Sequence, residues 1–326
     1  TDNFYQIEIP LKVTQPNERD PNRVWPSDNE IELPLDLLKQ IKVMALQNTL
    51  PPDADPNDGI QFVDDFVVDP SLTGRANGVK LGIKGNPNIG FVRTIMIGVK
   101  NNHNSAVEGE VWFNELRMAG LDNEGGWAAI ANFDSQIADF ATVSASTRKS
   151  TIGFGGIEDG ANERSREDMF QYNIMTSVNA GQLLPKKWGV HVPFSYSVAE
   201  ETITPKYDPY YQDIELKDVL AVTPEAEREN VEKRAEDYTK RTSINLIGVR
   251  KERAADKKAQ VYDIENVTVS HSHNEAFHRD FQIESQIDQQ TRSAVDYAYS
   301  FNSKPIEPFK NKQFVNKSKY WQLLKD

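Results

Sequence analysis

Cysteine is missing from all 326 residues, which excludes disulfide staples and thiolate metal sites and fits an envelope protein that needs neither. No apolar run approaches the length of a transmembrane helix. Positive charge is in deficit, with 37 Lys and Arg against 49 Asp and Glu and a net charge of −12. A nucleic-acid partner would want a basic face, so none is expected. Catalytic signatures are lacking as well: there is no Gly-x-Ser-x-Gly, no His-Glu-x-x-His and no phosphate loop. Ser146-Thr147-Arg148-Lys149 fits Ser-x-x-Lys formally but lies at a strand end and is discounted. The chain therefore reads as a non-enzyme without a cofactor. It begins at Thr1 without an initiator Met or signal peptide and ends at Lys325-Asp326 without a closing strand, so it reads as a piece of something longer.

The most informative absence is local. Between Phe170 and Ala199 the only formal charges are Lys186 and Lys187. Within that stretch Phe170, Tyr172, Ile174, Thr176 and Val178 alternate with Gln171, Asn173, Met175, Ser177 and Asn179. After Leu183 to Trp188 the pattern resumes, with Val190, Val192, Phe194, Tyr196 and Val198 opposing His191, Pro193, Ser195, Ser197 and Ala199. Successive side chains of a strand point to opposite faces, so the stretch predicts a hairpin with one apolar and one small polar face. A soluble sheet usually places Lys, Glu and Arg on its wet face; here that face is Asn, Gln, Ser and Gly. Apolar-out, polar-in strands with aromatic residues near their ends fit an outer-membrane barrel. On this reading Ile174, Val178, Val192 and Phe194 face lipid, and Asn173, Asn179 and Ser195 face a watery lumen. Pro193 is a blemish, since Pro cannot donate to a ladder.

Elsewhere the chain divides into three. Residues 1–123 predict a β-sandwich, jelly-roll-like, with one short helix. Its strands are Tyr5 to Val13 (Ile7, Ile9, Leu11 and Val13 buried), Val79 to Lys84, Phe91 to Lys100 and Gly109 to Ala119, and its helix carries Leu35, Leu38, Ile41 and Val43 behind Pro34. Residues 124–305 predict barrel strands: one long strand from Trp127 to Thr147, the central hairpin, Ser243 to Val249, Val261 to Ser270, and Ser293 to Phe301. A helix capped by Thr223 and running to about Arg241 interrupts them. Residues 306–326 begin a further periplasmic or luminal segment. Long connections outside and short turns inside would put Glu200–Arg241 outside and Leu183–Trp188 and Arg250–Gln260 in the periplasm. The strand from Trp127 would then start at the periplasmic end. About six strands cannot close a barrel, which takes about eight.

Site candidates are few. Asp53, Asp55 and Asn57 space oxygen atoms like a calcium loop, but Gly59 falls a place late and Pro56 stiffens it, so an acidic surface turn is expected. His271, His273 and His278 read as solvated loop histidines, although the first two would share a strand face. The basic turn from Arg250 to Lys258 is read as a solvated turn or a docking patch for a periplasmic partner.

Several phrases occur in an order that resembles one family: Val111-Trp112-Phe113-Asn114-Glu115-Leu116-Arg117, Gly126-Trp127-Ala128-Ala129, Ala138-Asp139-Phe140, Asn162-Glu163-Arg164-Ser165, Val249-Arg250-Lys251-Glu252-Arg253, Tyr262-Asp263-Ile264-Glu265-Asn266 and His278-Arg279-Asp280-Phe281. Together they resemble SprA/Sov, the giant outer-membrane translocon of type IX secretion and gliding motility in Bacteroidota. The resemblance implies a very large barrel at the cell surface that exports folded proteins. It also implies a partner outer-membrane barrel, a plug protein, secreted cargo and membrane lipid as its company. Two other functions fit the residues alone: a substrate-specific uptake barrel, and a soluble carbohydrate-binding β-sandwich module.

Overall fold

The structure is a computed structural model that describes residues 3–51, 59–69, 78–120, 123–254 and 256–300. The candidate calcium loop at Asp53, Asp55 and Asn57 and the expected segment 306–326 lie outside the described residues. Among these, the chain is mainly antiparallel sheet with short helices, and no helix is long and apolar enough to cross a membrane.

The N-terminal unit comprises β1 (Phe4–Glu8), a one-turn helix α1 (Pro21–Val24), α2 (Leu35–Leu46), β2 (Gln61–Asp64), a one-turn helix α3 (Asp65–Val68) and β3 (Lys80–Lys84). Strand β3 is central, so the sheet order is β1-β3-β2. Register sets Ile7 and Val63 on either side of Leu81, and Tyr5 beside Ile83. The resulting apolar face receives Leu37, Leu38 and Ile41 of α2, whose spacing puts them on one side of the helix. Gly82 accommodates the Phe62 ring, since a Cβ there would lie 2.6 Å from Phe62 Cε1. Asn48, at a positive φ of 54°, ends α2 in the left-handed conformation usual past a helix C-terminus.

The unit is thus a three-stranded sheet with a helix on one face, and the second sheet of the expected sandwich is not found among the described residues. Residues 92–100 and 109–119 join no ladder, and their side chains stand exposed, Trp112 at 73% and Met118 at 86%. Strand β1 is also shorter than its alternation suggests: Leu11 and Val13 are exposed rather than buried. Strand-like patterning needs a neighbour to become a ladder, and these segments have none here.

The second sheet is an antiparallel meander. Its strands are β4 (Ala128–Ile137), β5 (Ala141–Ser150), β6 (Glu167–Asn179), β7 (Val190–His191), β8 (Pro193–Pro205), β9 (Asp237–Lys251), β10 (Val267–Arg279) and β11 (Gln286–Tyr297). The order is β4-β5-β6-β8-β9-β10-β11, with the short β7 pairing with β9. Apart from β7 each is long enough to span a bilayer, which takes about 9–11 tilted residues. Pro193 opens β8, a place where Pro is tolerated.

Several expected boundaries move. The single strand from Trp127 to Thr147 is a hairpin, turned at Ala138-Asp139-Phe140 with Ala138 at φ 46° and Phe140 N–H bonded to the Ile137 carbonyl. Asp139 is the middle residue of this turn. Between β8 and β9 lie α4 (Leu216–Val222) and α5 (Glu225–Ala235); the latter stops at Ala235, so Lys240 and Arg241 belong to β9. Thr223 Oγ1 donates to the Val219 carbonyl of α4 and does not cap α5. Strand β11 starts at Gln286 because Asp280 folds a tight turn, its Oδ1 accepting from the Gln282 and Ile283 N–H groups at 2.7 Å. Gln286 to Arg292 carry one apolar side chain, Ile287, so pattern alone reads them as loop.

Connections 151–166, 206–236 and 280–285 share the end where β4 begins, here the entry end; 138–140, 180–192 and 252–266 share the far end. The two turns expected on one side are indeed opposite the 206–236 connection, but lengths do not alternate cleanly. Because Trp127 to Thr147 is a hairpin, β4 starts at the end of the longest connections, opposite to the expected one.

The N-terminal unit docks at this entry end. Lys42 Nζ of α2 lies 2.6 Å from Asp213 Oδ1, with side-chain exposures of 4% and 0%. The other carboxylate oxygen accepts the Ile89 N–H at 3.1 Å, and Lys42 stands 5.9 Å from the Tyr211 ring centre. Burial, helped by the nearby Asp213 charge, pushes the Tyr5 phenol far up from its ordinary value. Removing one partner of a buried pair strands the other charge, which costs about 3–5 kcal/mol. Lys42→Met should therefore destabilise the unit by about that much, and Lys42→Met with Asp213→Leu by clearly less. A double-mutant cycle from urea unfolding checks this; additive losses would mean that the pair is not coupled.

Candidate functional site: the two faces of the long sheet

Ladder register decides which side chains share a face, because residues directly opposite in an antiparallel pair point the same way. Ile174 lies between Ala145 and Val198, and Val178 between Ala141 and Phe194. Phe194 is in turn opposite Leu246, and Tyr196 opposite Ile244. These residues, with Phe133 and Ile137 of β4, make one apolar face. On the other face Asn173 lies between Ser146 and Ala199, Asn179 opposite Pro193, and Ser195 between Ser177 and Asn245. Ser177 and Ser195 hydroxyls sit 3.2 Å apart. Ser144, Asn132, Gln171, Ser197, Ser243, Ser272 and Asn274 continue this polar face, interrupted by Ile130, Met169 and Met175.

The structure therefore brings Ile174, Val178 and Phe194 together on one side and Asn173, Asn179 and Ser195 on the other. Val192 falls between β7 and β8, outside any ladder; its carbonyl accepts the Ala180 N–H at 2.9 Å. Gly181 permits that close passage, since a Cβ there would lie 2.3 Å from the Val190 carbonyl oxygen. Ser146 and Lys149, three apart on β5, point to opposite faces and cannot act as a catalytic pair.

Two features of the apolar face were not foreseen. Several of its charges gather toward the entry end: Lys149, the Glu200–Lys240 pair at 2.8 Å, and Arg279, whereas Lys251 closes β9 at the far end. Aromatic Phe170, Tyr172 and Tyr238 stand among them, with Arg279 5.0 Å from the Tyr238 ring centre. Second, the apolar face is interrupted on β10 and β11, where Val267, Val269 and Phe277 with their partners Tyr297, Val295 and Ile287 flank a polar middle. On β10 and β11 the same face carries cross-strand hydrogen bonds from His271 Nδ1 to Ser293 (2.8 Å), His273 Nδ1 to Thr291 (2.7 Å) and Gln289 Nε2 to Glu275 (2.6 Å). The alternating His271, His273 and Glu275 signal this ladder in the sequence, but only if β10 is extended to Arg279.

The histidines are thus strand residues, not loop residues. His278 is on the opposite face, with Nδ1 3.1 Å from Thr239 Oγ1 and Nε2 3.3 Å from Asp280. Among the described residues no three His, Cys, Asp or Glu side chains converge on a metal position.

Three cations of the basic turn between β9 and β10 find partners close by in the chain. Lys257 reaches Glu265 at 3.1 Å and Asp263 at 3.4 Å, Lys251 reaches Glu265 at 3.4 Å, and Arg253 bonds Asn266 Oδ1 at 2.6 Å. Backbone N–H donation at Glu265, then Lys257 and Lys251, holds the Glu265 carboxyl down at about 2. A depressed carboxylate stabilises the fold above its unfolded value, about 4.3, and that contribution disappears as pH falls toward about 2. A carbon NMR titration of Glu265 should place its midpoint well under that of an exposed Glu, and Lys257→Met should raise it. A midpoint near 4.3 would remove this network.

The described residues of the second unit thus form a long-stranded antiparallel meander with one apolar and one Ser- and Asn-rich face. A family model described as motility related/secretion protein, SprA_N, matches residues 1–220, and the chain belongs to that family. Secretion and motility are thus its functional setting. No curated protein matches the sequence.

Proposed function

We propose that this chain forms part of the wall of an outer-membrane β-barrel pore that exports folded proteins in type IX secretion and gliding motility. The observation that carries the reading is the division of the meander into an apolar face and a Ser- and Asn-rich face over strands of bilayer-spanning length. Membership of a secretion and motility family supports export over solute uptake. In this reading Ile174, Val178 and Phe194 meet lipid, Asn173, Asn179 and Ser195 line the lumen, and the aromatic and charged row around Tyr172, Glu200 and Lys240 lies at an interface. Longest connections face outward in such barrels, so the N-terminal unit sits at the outer rim. Its company is a partner barrel, a plug protein and the cargo itself, and the chain needs no catalytic centre or cofactor.

Single cysteines test the faces. Those at Ile174, Val178 and Phe194 should resist a hydrophilic maleimide, whereas those at Asn173, Asn179 and Ser195 should react. Thr291→Cys should react too, despite sharing the apolar side, because its neighbours are polar. Equal labelling of both sets would defeat the barrel reading. Val178→Arg should cost roughly 2–4 kcal/mol near the bilayer midplane.

Deleting the segment in its native host should trap large secreted proteins in the periplasm while small-solute uptake continues. Normal levels of those proteins in the medium would sink the export reading.

A further inference from the structure

Two of the chain's five histidines stand in the polar middle of β10. His271 and His273 are two residues apart in a strand, so they share a face with their Cα atoms about 7 Å apart. Pairing with β9 on one side and β11 on the other fixes that spacing. Each ring is also tethered at the same atom. His271 Nδ1 lies 2.8 Å from Ser293 Oγ, and His273 Nδ1 lies 2.7 Å from Thr291 Oγ1. Neither Nε2 has a hydrogen-bond partner among the described residues.

An imidazole that donates its Nδ1–H to an oxygen keeps the lone pair on Nε2, which is the form that binds a metal. Serine and threonine hydroxyls rotate to accept, so both rings are able to hold that tautomer. Metal-ligating histidines almost always have their second nitrogen anchored in this way. A pair of merely solvated histidines has no need of it. The surroundings agree with an ion. Register places Leu246 and Ile244 of β9 beside the pair on one side and Ser293 and Thr291 on the other, with no Lys or Arg among them. Glu275, two residues beyond His273 on the same face, brings a negative charge, its carboxylate bonded by Gln289 at 2.6 Å. Metal–nitrogen bonds of about 2 Å require the two rings to lean together, and His271 is exposed enough to do so. No third side chain converges with them among the described residues, so water fills the other positions. Imidazole donors suit neither calcium nor magnesium, which take oxygen. Late first-row ions accept them, copper most tightly.

We propose that His271 and His273 bind one late first-row divalent ion, Cu²⁺ in preference to Zn²⁺, through their Nε2 atoms, with water completing its shell. The site goes beyond the barrel reading and stands without it, since it needs only the ladders between β9, β10 and β11.

The test titrates the full chain in detergent with copper or zinc chloride alone and reads heat and, for copper, electron spin resonance. One equivalent of copper should bind with the splitting of two nitrogen ligands, and zinc should bind about tenfold or more weakly. His271→Gln and His273→Gln should each weaken copper binding about tenfold or more. Ser293→Ala keeps both imidazoles but frees one ring, and should weaken binding roughly tenfold. A readout without variants is proton NMR, where substoichiometric copper should broaden the imidazole signals of His271 and His273 first. Undiminished copper binding by the double variant His271→Gln with His273→Gln would overturn the proposal, as would first broadening at His103, His191 or His278. A single nitrogen ligand, or no copper bound at all, would overturn it as well.

Discussion

The long sheet depends on one constraint: an unbroken antiparallel register from β4 to β11. Because side chains alternate with period two, a slip of one residue in any ladder would turn the apolar set of that strand to the other side. The single irregularity respects this rule. Between Val269 and His271 of β10 the partner strand advances from Val249 to Leu246, so β9 carries an extra residue there. Gly248 absorbs it at φ 83°, which a side chain would resist, and its N–H bonds Ser270 Oγ at 3.1 Å. Val249 and Leu246 thereby stay on the same face, and the division of the sheet survives the bulge.

A sheet of this kind gains little from its own interior, since both faces are open in the chain as it stands. The buried core is elsewhere, in the N-terminal unit and at the foot of the 206–236 connection, where Ile214, Leu216 and Asp213 are covered. The Lys42–Asp213 pair joins the two bodies there. An ion pair out of water contributes little net stability but penalises every arrangement in which one charge lacks the other, so it orients more than it holds. Its place beside the longest connections makes the entry end the crowded end of the molecule.

The apolar face also has a polar gap. From β4 to β9 it presents Ala, Val, Phe and Ile, and on β10 and β11 the apolar residues at either end flank imidazole, hydroxyl and amide groups bonded across the strands. Polar groups satisfied by each other tolerate a nearby apolar medium better than free ones, yet they gain nothing from it.

Sequence alone determined the central hairpin and its two faces, because the 170–199 alternation is strict and free of formal charge outside its turn. It also determined α2, although Leu35 of the expected stripe is exposed and Leu37 is buried instead, and the family, through phrases that occur in one order. Tertiary structure decided the rest for identifiable reasons. A turn at Ala138 split one apparent strand in two, since a short connection without Gly or Pro leaves no mark in an Ala- and Ser-rich run. Strand β11 is held by pairing with β10 and not by apolar patterning, so its Gln- and Asp-rich residues read as loop until the partner is in place. The basic turn reads as a solvated turn or a docking patch as a string of residues, and Lys251, Arg253 and Lys257 find partners only when Asp263, Glu265 and Asn266 fold back onto it. In each case the missing information was a contact between residues far apart in the chain, which local periodicity cannot carry.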